Sequence, residues 1–162
     1  EAERLMAERL VPAARIVTPN HLEAGILVGR ELADDTAVLI EAAQEIRATG
    51  PEVVIITGGR RSGVSATGEI SAVDVVCSGE GIELLTSPWI ETANVRGSGD
   101  TFSAAIVARL ASGDSALASV RAAHKFTAVA IAGAAGWKFG AGQGPLDHFG
   151  WAPAEAAPGD RM

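Results

Sequence analysis

The sequence is poor in the residues that several protein classes require. Cysteine occurs once in 162 residues, at Cys77, so no disulfide can form within the chain. Aromatic residues make up 4% and tyrosine is absent, which argues against a surface that stacks nucleobases. Lysine and arginine number 13 against 20 aspartates and glutamates, and the formal net charge of −7 opposes binding to a phosphate backbone or an anionic membrane. No apolar run approaches the about 20 residues that a membrane-spanning helix needs.

These absences leave a folded, acidic protein that we expect in the cytoplasm, with neither nucleic acid nor membrane as a partner. Hydrophobic residues make up 48% and charged residues 20%, a balance typical of a globular domain rather than of disorder or a coiled coil. The chain starts at Glu1 in a pattern typical of the interior of a helix, without a capping residue before it. We therefore expect a fragment or a processed product of a larger domain.

Helical and strand patterns alternate along the chain. Residues 53–56 are four consecutive β-branched residues, typical of a strand buried on both faces in a parallel sheet. Helices are predicted at residues 1–14, 20–28, about 35–49, 101–112 and 115–132, and strands at 15–18, 70–77 and 81–86, the last two as a hairpin. The pattern predicts an α/β fold. Residues 1–150 show no domain boundary, and residues 151–162 are predicted to form a disordered tail.

The first candidate site is the segment Arg96-Gly97-Ser98-Gly99-Asp100, which leads into the helix predicted at 101–112. Gly97 and Gly99 let the backbone approach a ligand closely. The unpaired amides of a first helical turn, at the positive end of the helix dipole, suit a phosphoryl group. Asp100 stands where an acceptor of a hydroxyl proton would be useful in phosphoryl transfer. The alternative is an ordinary capped helix with Ser98 or Asp100 as the N-cap, and the local sequence does not decide between the two.

A second candidate site lies where the strand predicted at 15–18 ends. Asn20 and Glu23 are three residues apart at the start of a helix, and ligands of open α/β sheets sit outside the carboxyl ends of the strands. An amide and a carboxylate there could hold a hydrated Mg²⁺, which prefers oxygen ligands and keeps several of its waters. The local sequence favours the alternative, an N-cap with a capping-box acid.

A third candidate, Thr57-Gly58-Gly59, follows the strand at 53–56. It could be a plain turn, or it could line nucleotide phosphates with backbone amides and a hydroxyl. Other chemistries find little support in the sequence. The three histidines show no metal-ligand spacing with Cys77, which argues against a zinc site. The chain lacks the Gly-x-Ser-x-Gly elbow that would indicate a serine nucleophile.

These segments occur in the order found in the ribokinase-like small-molecule kinases. Within them the chain most resembles the hydroxymethylpyrimidine/phosphomethylpyrimidine kinases of thiamine biosynthesis, over roughly residues 10–149. The matching stretches are Thr18-Pro19-Asn20 with Glu23-Ala24, Thr57-Gly58-Gly59, Ala72-Val73-Asp74-Val75-Val76, residues 97–105 and residues 142–149. The Ala72 to Val76 stretch and the Gly-Pro-Leu-Asp-His-Phe tail discriminate best, because the Gly-Ser-Gly-Asp loop alone fits any ribokinase-like enzyme.

The resemblance implies the C-terminal portion of a three-layer α/β/α sandwich with a mostly parallel central sheet. It implies ATP-dependent phosphorylation of hydroxymethylpyrimidine and then of its monophosphate, with ATP and Mg²⁺ as cofactors. Asp100 matches the catalytic base of the family. The anion hole is matched by Gly97, Ser98 and Gly99, the Mg²⁺–phosphate network by Asn20 and Glu23, partly through water, and the nucleotide side by Thr57, Gly58 and Gly59.

Two positions depart from the pyrimidine-kinase pattern. Asp100 stands where those kinases often carry cysteine, whereas aspartate is the norm in the wider superfamily, which favours pyridoxal kinase activity as the alternative. Thr57 stands where they often carry lysine. A non-catalytic nucleotide-binding or interaction module is a second alternative, against which the intact Asp100 argues. Dimerisation is common in the superfamily, so a homodimer is a candidate assembly, and no feature of the sequence decides the oligomeric state. Because the N-terminal part of such a domain would hold most pyrimidine-binding residues, we expect residues 1–162 alone not to turn over substrate.

Overall fold

The strand predicted at residues 53–56 lies inside the sheet, between two neighbours. A computed structural model of the protein describes residues 1–58, 60–61 and 70–151, so Gly59 and residues 152–162 of the expected tail lie outside the described residues. The strands are β1 (Ile16–Val17), β2 (Val53–Ile56), β3 (Arg60–Arg61), β4 (Ser71–Ser78) and β5 (Gly81–Pro88). Their order along the sheet is β1-β2-β4-β3, and β5 also pairs with β4.

The helices of the described residues follow the predicted pattern. They are α1 (Ala2–Leu5), α2 (His21–Val28), α3 (Thr36–Ala48), α4 (Ser98–Ala111) and α5 (Ala116–Ala134). α1 continues into a π-helical turn, Met6–Leu10, so the first helical segment ends before the predicted residue 14. Side-chain N-caps start α2, α3 and α5 where they are expected, at Asn20, Asp35 and Ser115. Among the described helices, none combines the length and the apolar character needed to cross a bilayer.

The helices cover both faces of the sheet because successive side chains of a strand point to opposite faces. One apolar core joins β2 and β4 to α2 and α3, and it includes Val54, Ile56, Val75, Ala24, Leu39 and Ile46. The other joins the same two strands to α4 and α5, and it includes Val53, Ile55, Val76, Phe102, Ile106 and Val120. The result is the three-layer α/β/α arrangement that the resemblance implies.

The sheet is mixed in the part of the chain that is described, which corrects the expectation of a mostly parallel one. β1 and β2 run parallel, with Ile16 opposite Val53. β4 runs antiparallel to β2, β3 and β5. The connections explain the difference, since parallel neighbours need a crossover, which α2 and α3 supply between β1 and β2. The predicted hairpin of β4 and β5 turns through two residues, which is compatible only with antiparallel pairing.

Replacing Val120 by alanine is expected to destabilise the protein by about 2 kcal/mol, because this fully buried side chain loses apolar contacts in the core below α4 and α5. Val129→Ala on the same helix is the matched control. Val129 is 62% exposed, so alanine there should be neutral or stabilising by at most about 0.7 kcal/mol through its higher helix propensity. Urea unfolding measures both changes, and equal destabilisation by the two variants would contradict the placement of this core.

Candidate active site

The Gly-Ser-Gly-Asp segment starts α4 with a left-handed glycine. Gly97 is the N-cap, with φ of 81° and no side-chain capping bond, a conformation that favours glycine. The N–H of Thr101 donates to the carbonyl of Gly97 at 2.8 Å. α4 therefore begins at Ser98, three residues earlier than predicted, and the alternative with Ser98 or Asp100 as the N-cap is wrong. The physical reason is that the left-handed Gly97 already occupies the N-cap position, so Ser98 and Asp100 fall inside the first helical turn.

The first turn of α4 presents backbone N–H groups that have no partner within the helix. The N–H of Ser98 is used in the turn, where it donates to the carbonyl of Val95 at 3.2 Å. Gly99 and Asp100 come next, and their N–H groups point out of the helix at the positive end of its dipole. This geometry suits the binding of a phosphoryl group, with Gly99 and Asp100 better placed to donate than Ser98.

Asp100 is exposed on this first turn and lines a cavity of about 800 Å³. The walls of the cavity are mainly apolar and are built from the alanines of α4 and α5. Its lining includes Gly97, Asp100, Thr101, Ala105, Ala123 and Phe126. A Cβ atom on Gly97 would stand 3.9 Å from Asp100 Oδ2, so the carboxylate lies close to the glycine turn. The carboxylate of Asp100 thus lines this cavity from the helical turn that carries the unpaired amides of Gly99 and Asp100.

His148 belongs to the same site, which sequence reasoning missed. Its Nε2 lies 2.8 Å from Thr101 Oγ1, and the imidazole lines the cavity together with Asp100. Local sequence gives no signal for this role, because His148 shows no metal-ligand spacing with other residues. The sequence signal that points to His148 is its position in the Gly-Pro-Leu-Asp-His-Phe stretch, which is one of the motifs that carry the family resemblance.

Asn94 anchors the loop that precedes α4. Its buried side-chain Nδ2 donates to the carbonyls of Ala134 and Trp137, at 2.7 and 2.9 Å. The N–H of Arg96 donates to the carbonyl of Gly144 at 3.1 Å. A Cβ atom on Gly144 would overlap Asn94 Oδ1, so only glycine fits there. These contacts hold the glycine turn against the end of α5 and the C-terminal segment.

Asn20 and Glu23 form the capping box of α2, the alternative that the local sequence favours. Asn20 Oδ1 accepts from the N–H of Glu23 at 3.0 Å, and Glu23 Oε2 accepts from the N–H of Asn20 at 2.8 Å. Both residues are exposed, and the capping box engages one of the two Glu23 carboxylate oxygens. The other oxygen fits a water-mediated contact with Mg²⁺. Among the described residues, no cluster of three or more His, Cys, Asp or Glu side chains could hold a metal directly.

β2 brings Thr57 to the same edge of the sheet as Asn20. The N–H of Thr57 donates to the carbonyl of Pro19 at 2.9 Å, and Thr57 pairs with Asn20 in an isolated parallel bridge. The carboxyl ends of β1 and β2 therefore meet, as expected for a ligand site of an α/β sheet. Gly58 follows with φ of 69°. The predicted residues thus form two sets, one with Asn20, Glu23, Thr57 and Gly58, and one with Gly97, Ser98, Gly99 and Asp100.

Asp74 of β4 holds the turn after β2. Its Oδ1 accepts from the N–H of Gly58 at 2.8 Å, and its Oδ2 lies 2.8 Å from Nδ1 of His124 on α5. The side chains of Asp74 and His124 are each 13% exposed. The hydrogen bond to Asp74 raises the pKa of His124 above its ordinary value of 6.5, while burial of the ring acts in the opposite direction.

Comparison with known proteins points to one family. The family model for phosphomethylpyrimidine kinase matches residues 1–147. The chain is 38% identical over 149 residues to the hydroxymethylpyrimidine/phosphomethylpyrimidine kinase of Rhizobium meliloti, covering 92% of this chain and 54% of that protein. It is 39% identical over 131 residues to the pyridoxine kinase of Bacillus subtilis, covering 81% of this chain and 46% of that protein.

A solved structure shares the fold. The pyridoxal kinase from Staphylococcus aureus in complex with AMP-PCP matches with a TM-score of 0.79 at 35% identity, covering 90% of this chain and 51% of that chain. This likeness confirms the predicted ribokinase-like α/β fold. The chain spans about half the length of the relatives that it matches.

The ion pair of His124 should make stability depend on pH. Because its pKa is raised in the folded state, the contribution of the charged pair is fully present below about pH 6.5 and is lost as the pH rises through the folded-state pKa. His124→Leu should therefore cost about 1.5–3 kcal/mol at low pH, the range of hydrogen bonds to charged groups, and less at high pH. Urea unfolding of the wild type and of His124→Leu over a series of pH values measures this difference in the free energy of unfolding.

The control for this prediction is the same substitution in an Asp74→Asn background. Without the carboxylate, the cost of His124→Leu should no longer vary with pH. A pH-dependent cost that persists in that background would show that another group, and not Asp74, is the partner.

Proposed function

Because the chain belongs to the phosphomethylpyrimidine kinase family, we propose that it forms the phosphoryl-transfer side of an ATP-dependent kinase that acts on a small molecule in the cytoplasm. The acceptor is the hydroxymethyl group of hydroxymethylpyrimidine in a first reaction and the phosphate of its monophosphate in a second. The observation that carries this proposal is the exposed Asp100 carboxylate, which lines the cavity and lies on the same first turn of α4 as the unpaired amides. Proton acceptance and stabilisation of phosphoryl charge are the two demands of this reaction.

Asp100 acts as the general base of the first reaction in this scheme. It takes the proton of the acceptor hydroxyl while the hydroxyl oxygen attacks the γ-phosphorus of ATP, and ADP leaves with the electrons of the broken P–O bond. The N–H groups of Gly99 and Asp100 donate to the phosphoryl oxygens as charge develops there, and the α4 dipole adds to this stabilisation. Gly97 allows the phosphoryl group to approach the backbone because it has no side chain.

The nucleotide side lies at the ends of β1 and β2. Thr57 and Gly58 would line the phosphates, and the assignment of Gly59 to this turn rests on the resemblance. The complex of the Staphylococcus aureus relative with AMP-PCP supports ATP as the donor. Asn20 and the free oxygen of Glu23 would hold Mg²⁺ through water, and the ion, when bound, would neutralise phosphate charge. The net charge of −7 is compatible with this site because backbone amides supply its positive potential.

A pyridoxal or pyridoxine kinase is the second candidate. Two observations favour it, namely the 39% identity to the pyridoxine kinase of Bacillus subtilis and the aspartate at position 100, where the pyrimidine kinases often carry cysteine. The pyrimidine substrate comes first because the Rhizobium meliloti relative matches 92% of the chain and the Bacillus subtilis relative 81%. The cavity at Asp100 argues against a non-catalytic module, which would need no base beside its phosphate site.

Asp100→Asn is expected to lower kcat for hydroxymethylpyrimidine by about 10²–10⁴-fold, because an amide cannot accept the hydroxyl proton. The KM for ATP should change little, since the amide has the shape of the carboxylate. Glu41→Gln, on the exposed face of α3, is the control and should keep full activity. Steady-state kinetics of the protein in the form that its gene encodes measures both. Unchanged turnover in Asp100→Asn would remove Asp100 from the role of base.

The substrate is decided by assaying hydroxymethylpyrimidine and pyridoxal side by side at the same ATP concentration. We expect the higher kcat/KM for hydroxymethylpyrimidine, and a clear preference for pyridoxal would replace the first candidate by the second.

For purified residues 1–162 we expect binding of nucleotide without turnover. Appreciable kinase activity of this polypeptide would contradict the expectation that the pyrimidine-binding residues lie elsewhere.

A further inference from the structure

Asp74 occupies a position in β4 where an apolar side chain would be expected. Side chains of a strand alternate between the faces of its sheet, and Val76, two residues further on, packs in the core with α4 and α5. Asp74 therefore faces the same helical layer, with 13% of its side chain exposed. A carboxylate so far withdrawn from water is unfavourable unless it is paired and hydrogen-bonded. The structure shows a separate partner for each of its oxygens.

One carboxylate oxygen binds the turn after β2, and the other binds α5. Gly58 N–H donates to Oδ1, and His124 Nδ1 lies at hydrogen-bond distance from Oδ2, each at 2.8 Å. Because a carboxylate only accepts, the imidazole Nδ1 is the donor in this pair. The carboxylate thus links two segments that are 16 and 50 residues away from it in the sequence.

The turn that Asp74 holds is tethered from two directions. Thr57 N–H donates to the carbonyl of Pro19, which attaches the turn to the end of β1. Gly58 has φ of 69°, a left-handed conformation in which its N–H points toward β4 and meets the carboxylate. Loss of the first tether would disturb the sheet, because it continues the pairing of β1 with β2. Loss of the second would release the orientation of the Gly58 peptide and leave the strand pairing in place.

We propose that Asp74 and His124 are positioning residues for nucleotide binding. His124 orients the carboxylate, and the carboxylate orients the Thr57–Gly58 turn toward the phosphates of a nucleoside triphosphate. The inference rests on the proposed function in one respect, that this turn is the nucleotide side of the site. Neither residue touches the reacting atoms, so their removal affects nucleotide affinity and leaves proton transfer at Asp100 unchanged.

Two substitutions of His124 separate its hydrogen bond from its bulk. His124→Leu keeps much of the volume and removes the donor, whereas His124→Asn places an amide nitrogen near the position of Nδ1. Calorimetric titration of the protein in the form that its gene encodes, with AMP-PCP and Mg²⁺, should show affinity weakened by about two- to tenfold in His124→Leu, the range of one hydrogen bond. Affinity should return in His124→Asn. Lys125→Leu, the exposed neighbour on α5, is the matched control and should bind like the wild type.

Two further readouts distinguish positioning from general destabilisation. In the protein as its gene encodes it, His124→Leu should raise the KM for ATP with kcat unchanged, whereas a purely structural role would lower kcat by reducing the folded fraction. The amide resonance of Gly58 should shift in His124→Leu and return toward the wild-type position in His124→Asn. If His124→Leu does not fold, Asp74→Asn replaces it. This variant should also weaken AMP-PCP binding, because one of the two accepting oxygens becomes an NH2 group that cannot accept from the donor facing it.

The outcomes separate this inference from the proposed function. Equal affinities for AMP-PCP and an unmoved Gly58 resonance in every variant would overturn the positioning role while the kinase proposal stands. Absence of AMP-PCP binding by the wild-type chain at saturating Mg²⁺ would count against the nucleotide side of the proposed function, and the positioning role would fall with it.

Discussion

Burial of β2 on both of its faces is the constraint on which the rest of the structure depends. Its four side chains are at most 1% exposed and point alternately to the two apolar cores. A shift of register by one residue would exchange the side chains of one core for those of the other, so the pairing with β1 and β4 is strongly specified. The carboxyl end of the strand is thereby placed as well, and with it Thr57 and the glycine that follows.

The candidate site is built from the ends of elements rather than from a charged surface. Its positive potential comes from backbone amides at the start of α4, and its negative group, Asp100, lies on the same turn. A site of this kind would suit phosphate even in a chain with a net charge of −7. The surrounding contacts are uncharged, since the Asn94 side-chain amide donates to two backbone carbonyls and the Arg96 N–H donates to the carbonyl of Gly144. A second charged side chain, Asp74, links the turn after β2 to α5 through its carboxylate.

Local signals predicted a large part of this architecture because they act within a few residues. The capping box of Asn20 and Glu23, the doubly buried β2 and the hairpin of β4 and β5 all follow from short patterns, and each is confirmed. The start of α4 was placed three residues too late, because a left-handed glycine leaves no side-chain cap to recognise. The catalytic role of Asp100 and the binding roles of Asn20, Glu23 and Thr57 stay predictions, and Gly59 lies outside the described residues.

By itself, the sequence determined the α/β class, the order of the helices and of the strands other than the short β3, and the residue types suited to phosphoryl transfer, since periodicity and motif order are properties of the linear chain. The tertiary structure decided which of these residues meet. It made the sheet mixed, brought His148 to the cavity of Asp100, and joined Asp74 to both Gly58 and His124. Such contacts could not be predicted from local patterns, because the partners are separated by 16 to 50 residues and meet only after the helical layers pack against the sheet.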